Sequence, residues 1–175
     1  MRAMLRMAES PLRPGNRVAC KLVVTDYHNA MDNAKFSAGN CPIARALARV
    51  GDAWSMLILR DSSLGLTRYD QFRASLGIAT NFLSRRLKAL TEAGLLEKRR
   101  YSERPARDEY LLTKAGRDFL PVLQVLGEWG RVHHGDGGVS RLVDAETGAA
   151  VRPLVVDAAT GAPLAARRLR LALPD

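Results

Sequence analysis

The clearest pattern of hydrophobic positions begins after Asn40 and repeats at helical spacing. Asn40 suits the N-cap of a first helix and Pro42 its first turn, and apolar side chains recur until Gly51. Asp52 suits the cap of a second helix, whose dense apolar content predicts the central helix of a core and which ends at Gly65. The sequence therefore predicts two helices in quick succession.

A third helix is predicted before the next glycine. Thr67 suits its N-cap, and Tyr69, Phe72 and Leu76 fall on one side of it before Gly77. The helix is short, and its apolar side is expected to pack against the second helix.

The fourth helix, from about Thr80 to Ala93, has two faces of different chemistry. At roughly 100° per residue, three leucines form one narrow stripe, which predicts that this stripe is buried. The polar side chains gather on the opposite side and are expected to remain free to bind another molecule. The leucines are Leu83, Leu87 and Leu90, and the polar residues are Asn81, Ser84, Arg85 and Lys88.

Two strands and a last long helix complete this part of the chain. After Gly94 as a C-cap, the stretches LLEKRRY and EYLLT predict strands on either side of a basic loop, SERPAR. Thr113 suits the cap of the helix KAGRDFLPVLQVLGEWG, whose apolar residues recur at helical spacing.

This order of elements predicts a mainly α (α+β) fold with a helix-turn-helix followed by a two-stranded wing. In that layout the second helix of the pair enters the major groove of DNA, where base edges require donors and acceptors such as Arg, Lys, Asn, Ser and Thr. Phosphate contacts from the wing would set affinity more than sequence choice. The wing residues placed to make them are Arg99, Arg100, Arg104 and Arg107.

Residues 41–130, about half of the chain, carry a set of motifs. They are Cys41-Pro42, Gly51 with Trp54 and the following ILR, Arg68-Tyr69, Gly77-Ile78, Leu83 with RRLKAL, Gly94-Leu95, Pro105, Glu109-Tyr110, Leu112-Thr113, Gly116 and Trp129-Gly130. In this set the chain resembles the HxlR-type winged helix-turn-helix transcriptional regulators of bacteria. It departs from them at Tyr69, where the family has Phe.

The resemblance implies a homodimer, built from the first and last helices, that presents two recognition helices to an inverted repeat in double-stranded DNA. Half-sites are then expected roughly one helical turn, or a multiple of it, apart. Repression is the expected mode of regulation. The DNA-binding residues expected are Arg68, Thr80, Asn81, Ser84, Arg85 and Lys88, with Arg99, Arg104 and Arg107 on the wing.

Other residues favour a structural interpretation. Arg86 points toward the apolar edge of the fourth helix, which favours a salt bridge over a DNA contact. Trp54 and Trp129 are expected in the core or in dimer packing. His133 and His134, with Asp136 near them, are expected in a polar linker and not at a metal, because adjacent helical residues point about 100° apart.

The charge of the chain favours an anionic partner. The formal net charge is +9, and residues 41–131 carry sixteen Lys and Arg against ten Asp and Glu. Nucleic acid is favoured over a membrane surface. No run of about 18 apolar residues predicts a transmembrane helix. Two cysteines exclude a disulfide framework and a four-thiolate zinc site, which favours a cytoplasmic protein without a cofactor.

Cys41 is a candidate sensor. A thiol at the start of a helix tends to have a lowered pKa, and the thiolate is the reactive species. The resemblance implies that some relatives sense oxidants or electrophiles here, whereas the alternative is a small packing residue. A switch would need an intersubunit disulfide or a small-thiol adduct, because residues 42–175 contain no second cysteine. A small-molecule or electrophile effector is therefore a possible partner.

The chain divides into four parts. Residues 1–40 are expected to be a poorly ordered extension, with Met31 as the natural start, and residues 41–131 form the winged helix-turn-helix domain. Residues 132–138 are predicted as a linker and residues 139–175 as a small β appendage. In the appendage VDAETGA recurs as VDAATGA, without any Cys or His to hold zinc, so packing alone is expected to hold it.

Three other functions are alternatives to that of a transcriptional regulator. A winged-helix module that binds proteins would more often expose apolar or acidic residues on the fourth helix. A general DNA binder would lack sequence preference. An enzyme is the least favoured, because no Gly-rich phosphate loop, nucleophile elbow or paired metal-ligand motif occurs.

Overall fold

The computed structural model describes residues 40–136 and 138–172. The expectations for residues 1–39, including the start at Met31, lie outside the described residues. The described helices are α1 Pro42–Val50, α2 Ala53–Ser63, α3 Tyr69–Leu76, α4 Thr80–Glu92 and α5 Lys114–His134. Between α4 and α5 lie strands β1 Leu96–Glu103 and β2 Ala106–Leu112, and a 3-10 turn spans Leu164–Ala166. The predicted order of helices and strands is confirmed.

The two strands form an antiparallel hairpin in which Leu96 lies opposite Leu112. The register shifts between Arg100 and Ser102. Both strands extend into the stretch predicted as the basic loop, so only Arg104 and Pro105 remain at the tip. The wing is therefore longer and its loop shorter than predicted.

Two of the predicted N-caps are displaced by one residue. The Cys41 carbonyl accepts the Arg45 N–H, which makes Cys41 and not Asn40 the N-cap of α1. In α3 the Gln71 side-chain oxygen accepts the backbone N–H groups of Thr67 and Arg68, so the helix begins one residue later than a Thr67 cap would allow.

The predicted N-caps of α2 and α5 are confirmed, whereas α4 ends with Ala93 as its C-cap, one residue before the predicted Gly94. Asp52 Oδ1 accepts the Trp54 N–H at 2.8 Å and the Ser55 N–H at 3.3 Å, as an N-cap aspartate should. Thr113 Oγ1 accepts the Gly116 N–H at 3.1 Å and caps α5. Gly77 ends α3 with φ 61°, in the left-handed region that glycine adopts without strain.

The core lies where α2 meets α3, α4, α5 and the wing strands. Its side chains come from every one of these elements, and Phe72, Ile58, Leu59, Leu83, Leu87 and Leu90 are fully enclosed. Burying side chains of this size contributes about 1.5–3 kcal/mol each relative to exposure. The core therefore fixes the orientation of α4 relative to α2 and α3.

The start of α5 packs tightly on the loop that follows α4. A Cβ added at Gly116 would lie 2.2 Å from the Leu95 carbonyl oxygen, so only glycine allows this approach. The helix runs through His134, so the first residues of the predicted 132–138 linker are helical.

The described part of the appendage, residues 139–172, contains two turns that correspond to the sequence repeat. In each, the opening aspartate, Asp144 or Asp157, accepts the backbone N–H two residues further on. One isolated β-bridge closes each turn, Val143 with Ala150 and Val156 with Pro163. No side chain of residues 138–172 is buried. The expectation that packing alone holds this appendage within the chain is wrong, because hydrogen bonds define its turns.

Candidate nucleic-acid interface

Helix α4 has the two faces that its sequence predicted. Leu83, Leu87 and Leu90 have no exposed surface, and they attach one side of the helix to the core. The opposite side is open to solvent along its whole length. The exposed residues there are Thr80, Asn81, Ser84, Arg85 and Lys88.

An ion pair attaches α4 to the start of α2. Arg86 Nη1 lies 2.5 Å from Asp52 Oδ2, and both side chains are more than two-thirds shielded from solvent. The Arg86 guanidinium also lies 4.7 Å from the centre of the Phe82 ring, which meets Trp54 edge to face at 6.5 Å. The prediction that Arg86 makes a structural salt bridge is confirmed.

A tyrosine from α3 holds the first turn of α4. The Tyr69 hydroxyl donates to the Thr80 carbonyl oxygen at 2.8 Å and lies 3.2 Å from Ser84 Oγ. Ser84 Oγ donates to the same carbonyl at 3.0 Å. Ser84 is exposed as predicted, but its hydroxyl is engaged within the protein. The apolar spacing of Tyr69 indicated only a packing residue.

The other polar side chains of α4 differ in how freely they reach solvent. The Arg85 guanidinium lies 5.2 Å from the Phe82 ring, and Lys88 Nζ is 3.7 Å from Glu92 Oε1 in a largely exposed pair. The Asn81 amide makes no hydrogen bond to any described residue. Exposed pairs of this kind are weak, so all three side chains are available to a ligand.

Acidic residues of β2 neutralise several cations of the wing. Arg99 Nη2 lies 2.8 Å from Glu109 Oε1, so the predicted phosphate contact from Arg99 competes with an internal partner. Arg100 and Lys98 both pair with Asp108, at 2.6 Å and 2.9 Å. Hydrogen bonds from Arg100 and then Lys98 hold the pKa of Asp108 below its ordinary value. These cross-strand pairs depend on the hairpin register and were not predicted from the sequence.

Two wing arginines keep their charge unpaired. Arg104 at the tip and Arg107 on β2 are exposed and form no ion pair with any of the described residues. They lie at or next to the tip of the hairpin, whose first strand packs against α4. The structure therefore leaves these two arginines as the uncompensated cations at the end of the wing.

Arg68, the N-cap of α3, is positioned by the wing. Its guanidinium lies 4.6 Å from the centre of the Tyr101 ring, and it forms a β-bridge with Glu109. The neighbouring Thr67 carbonyl accepts the Tyr110 N–H at 2.7 Å. These contacts join the start of α3 to the hairpin, so Arg68 extends the basic surface between helix and wing.

Apolar side chains on α1 and α5 remain exposed in the single chain. Trp129 on α5 is 54% exposed, and Trp54 on the neighbouring helix α2 is 37% exposed. The expectation that the core of one chain encloses them is therefore wrong. The expectation of dimer packing stays a prediction. The exposed apolar residues of the two helices are Ile43, Leu47, Val122, Leu126, Trp129 and Val132.

Neither a metal site nor a membrane span is found in the described part of the chain. No three His, Cys, Asp or Glu side chains of residues 40–136 and 138–172 lie close enough to share a metal ion. His133 and His134 lie beside the Trp129 ring, with ring centres 5.4 Å and 5.0 Å away. Over the same residues, no helix combines the length and apolar character needed to cross a membrane.

Cys41 lies at the N-terminal end of α1, as predicted, and is partly exposed. It is not part of a disulfide. As the N-cap of α1, it adjoins the helix that carries the exposed Ile43 and Leu47.

The sequence profile of a family described as HxlR-like helix-turn-helix matches residues 49–136. Rv3095 of Mycobacterium tuberculosis, an uncharacterised HTH-type transcriptional regulator, is 46% identical over 88 residues, which are 50% of this chain and 56% of that protein. The chain thus spans about half the length of this relative. The regulator sll1512 of Synechocystis is 36% identical over 109 residues, 59% of this chain and 81% of its own length.

Solved structures share the fold. PA1607, a proposed transcription factor, superposes with a TM-score of 0.72 at 40% identity over 79% of this chain and 98% of its own. PA1374 from Pseudomonas aeruginosa, also a proposed transcription factor, has a TM-score of 0.56 at 46% identity, with coverages of 75% and 92%. The oxidised redox regulator HypR has a TM-score of 0.50 at 27% identity, with coverages of 54% and 98%. The likeness to PA1607 includes more of this chain than the family profile does.

Proposed function

Because the chain belongs to the HxlR-like helix-turn-helix family, we propose that it is a transcriptional regulator that binds double-stranded DNA at specific sequences. The observation that carries this proposal is the two-faced α4. Its leucines are fully buried, and its opposite face exposes Asn81, Arg85 and Lys88. A major groove about 12 Å wide admits one helix with such a face.

The proposed roles of the polar residues of α4 depend on whether their side chains are already hydrogen-bonded within the protein. In this proposal Asn81 pairs with an adenine edge and Arg85 with a guanine edge, which are the bases these side-chain types favour. Lys88 and the backbone near Thr80 lie along the same face and suit phosphate or base contacts. Ser84, with its hydroxyl engaged by Tyr69 and Thr80, contributes through its remaining lone pairs.

The wing contributes affinity in this proposal. Arg104 and Arg107 carry unpaired charge, and Arg68 lies on Tyr101 between α3 and the hairpin. In this proposal these three arginines contact phosphates on either side of the groove. Arg99 contributes less, because Glu109 already neutralises it. Binding by such contacts weakens as salt rises, since it releases counterions from the DNA.

We further propose that the regulator is a homodimer on an inverted repeat. An exposed apolar surface on α1 and α5 supports this, since Ile43 is 64% exposed and Val132 58%. A two-fold axis through this surface would present two copies of α4 to half-sites roughly one turn, or a multiple of it, apart. Occupation of such a site near a promoter would repress transcription.

A small-molecule or electrophile effector would act at the same surface. Cys41 adjoins α1 as its N-cap and is partly exposed, which supports reaction with an oxidant or electrophile. A Cys41 adduct, or a disulfide between the Cys41 residues of two subunits, would change how α1 packs in the dimer. Loss of operator affinity after diamide treatment of wild-type protein, but not of Cys41→Ser, would support this role.

DNase footprinting on the DNA upstream of the gene tests the proposed function. The expected result is a protected inverted repeat whose half-sites are about one helical turn apart. Protection without sequence preference would instead support a general DNA binder. Salt-independent binding to a protein, without DNA affinity, would support the interaction module.

A further inference from the structure

Tyr69 links α3 to the DNA-facing side of α4. Its hydroxyl donates to the Thr80 carbonyl oxygen at 2.8 Å, eleven residues along the chain, and lies 3.2 Å from Ser84 Oγ. Its ring packs against the hydrophobic core. The ring therefore anchors the residue, and the hydroxyl emerges beside the first turn of the helix proposed to read DNA.

The protons of this cluster are directed inward. A tyrosine or serine hydroxyl has one proton to donate and lone pairs to accept with. The Tyr69 proton is donated to the Thr80 carbonyl, and Ser84 donates to the same carbonyl at 3.0 Å. If one hydroxyl donates to the other instead, that proton also stays within the cluster. The two oxygens therefore present lone pairs, and no proton, to a molecule that contacts α4.

We propose that Tyr69 is a specificity-determining positioning residue, which holds Ser84 as a hydrogen-bond acceptor on the DNA-reading face. This inference rests on the proposed function. In the major groove, cytosine N4 and adenine N6 are donors, whereas guanine O6 and thymine O4 are acceptors. The base opposite Ser84 in each half-site is therefore cytosine or adenine, and guanine and thymine are disfavoured there.

Without the Tyr69 hydroxyl, the Ser84 hydroxyl could rotate and either donate a hydrogen bond to a base or accept one from it. Serine in a helix often donates to the carbonyl four residues before it, but this bond competes with others. Tyr69 restricts that choice because its oxygen, 3.2 Å from Ser84 Oγ, offers the serine proton a second acceptor within the protein. Removing the phenolic hydroxyl should therefore relax base choice at one position and leave the others unchanged.

The test compares wild-type protein with Tyr69→Phe and Ser84→Ala. The operator is first identified by selection from a randomised duplex pool, and affinities are then measured for all four bases at each position. Ser63→Ala is the matched control, because Ser63 Oγ likewise donates to a carbonyl of its own helix, Arg60 O at 2.6 Å, but lies on α2, which has no proposed DNA contact. Thermal unfolding of each variant checks that the fold is retained.

The expected wild-type preference for cytosine or adenine at one position per half-site is roughly 5-fold to 150-fold, the usual range for a single mismatch. Tyr69→Phe and Ser84→Ala should each reduce this preference several-fold at that position alone. Ser63→Ala should leave it unchanged. In hydrogen exchange without DNA, Tyr69→Phe should speed exchange of the amides in the first turn of α4.

Three results would overturn the inference. An unchanged base profile in Tyr69→Phe would show that the hydroxyl does not affect base choice. An equal loss of affinity at every position would reduce Tyr69 to a structural residue. A wild-type protein without any preferred sequence would refute the proposed function itself, and the exchange experiment would then report only whether Tyr69 anchors α4.

Discussion

Arg86 of α4 and Asp52 at the N-terminus of α2 form an ion pair, with Nη1 2.5 Å from Oδ2. The same aspartate caps α2 through its other oxygen, which accepts the Trp54 and Ser55 N–H groups. One carboxylate thus stabilises the start of the central helix and holds the helix that faces solvent. The stability of α2 and the position of the proposed DNA-binding helix α4 therefore depend on the same side chain, Asp52.

Replacement of Asp52 is expected to separate its two roles. Asp52→Ala removes the cap and the charge and should lower the free energy of unfolding by about 1–2 kcal/mol. Asp52→Asn should cost less, because asparagine also caps helices but does not pair with Arg86. Urea unfolding of both variants, with and without Arg86→Gln, measures the coupling. Additive effects of Asp52→Asn and Arg86→Gln would contradict the anchoring role of the ion pair.

The wing arginines are expected to differ in their contribution to salt dependence. Arg104→Ala and Arg107→Ala should each reduce the slope of log affinity against log salt by about 1, as for a lost phosphate contact. Arg99→Ala should reduce it less, because Glu109 neutralises that charge. Glu109→Gln should raise affinity for random DNA by freeing Arg99. A slope change for Arg99→Ala as large as that for Arg104→Ala would disagree with this assignment.

The lowered pKa of Asp108 predicts that the protein loses stability as the pH falls into the acid range. Hydrogen bonds from Arg100 and Lys98 lower its pKa in the folded state from the ordinary 3.8. A depressed pKa contributes stability that is present above the unfolded value and is lost as pH falls through the folded value. Asp108→Asn should therefore flatten the loss of stability measured by urea unfolding between about pH 5 and pH 2. Glu97→Gln, on the same hairpin, is the control and should lose stability at low pH as the wild-type protein does.

The exposed apolar surface of α1 and α5 predicts a dimer that a single charge disrupts. Leu126→Glu places a carboxylate in this surface and should yield monomers in sedimentation velocity, because burial of an unpaired charge is strongly unfavourable. Leu64→Glu is the matched control: Leu64 is 72% exposed but follows α2, outside the proposed interface. Dimers of Leu126→Glu at micromolar concentration would argue against this interface.

The helices of this fold could be predicted from the sequence because each carries its own signals. The leucine stripe of α4, the Asp52 cap and the glycine after α3 act through neighbours within one or two turns. The ends of the helices are less predictable, because side chains outside the cap position also accept the free N–H groups. Thr67 is a good N-cap by type, but Gln71 accepts both nearby N–H groups and moves the start of α3 to Tyr69.

The features of the candidate site that the sequence did not reveal depend on contacts between distant residues. The Tyr69 hydroxyl meets Ser84 fifteen residues away, and only the packing of α3 on α4 brings them together. Cross-strand pairing decides that Arg99 is neutralised while Arg107 is not, since it depends on hairpin register. The exposure of Trp129 likewise depends on how far α5 extends beyond the core.

The most direct test of the central claim is competition binding of the wild-type protein to its selected operator and to a scrambled duplex of equal length. At physiological salt the operator should bind about 10³-fold or more tightly. Arg85→Ala should lower that ratio by about 1–3 kcal/mol if Arg85 reads a guanine, whereas Arg141→Ala in the appendage should not change it. Equal affinity of the wild-type protein for both duplexes would contradict sequence-specific recognition by α4.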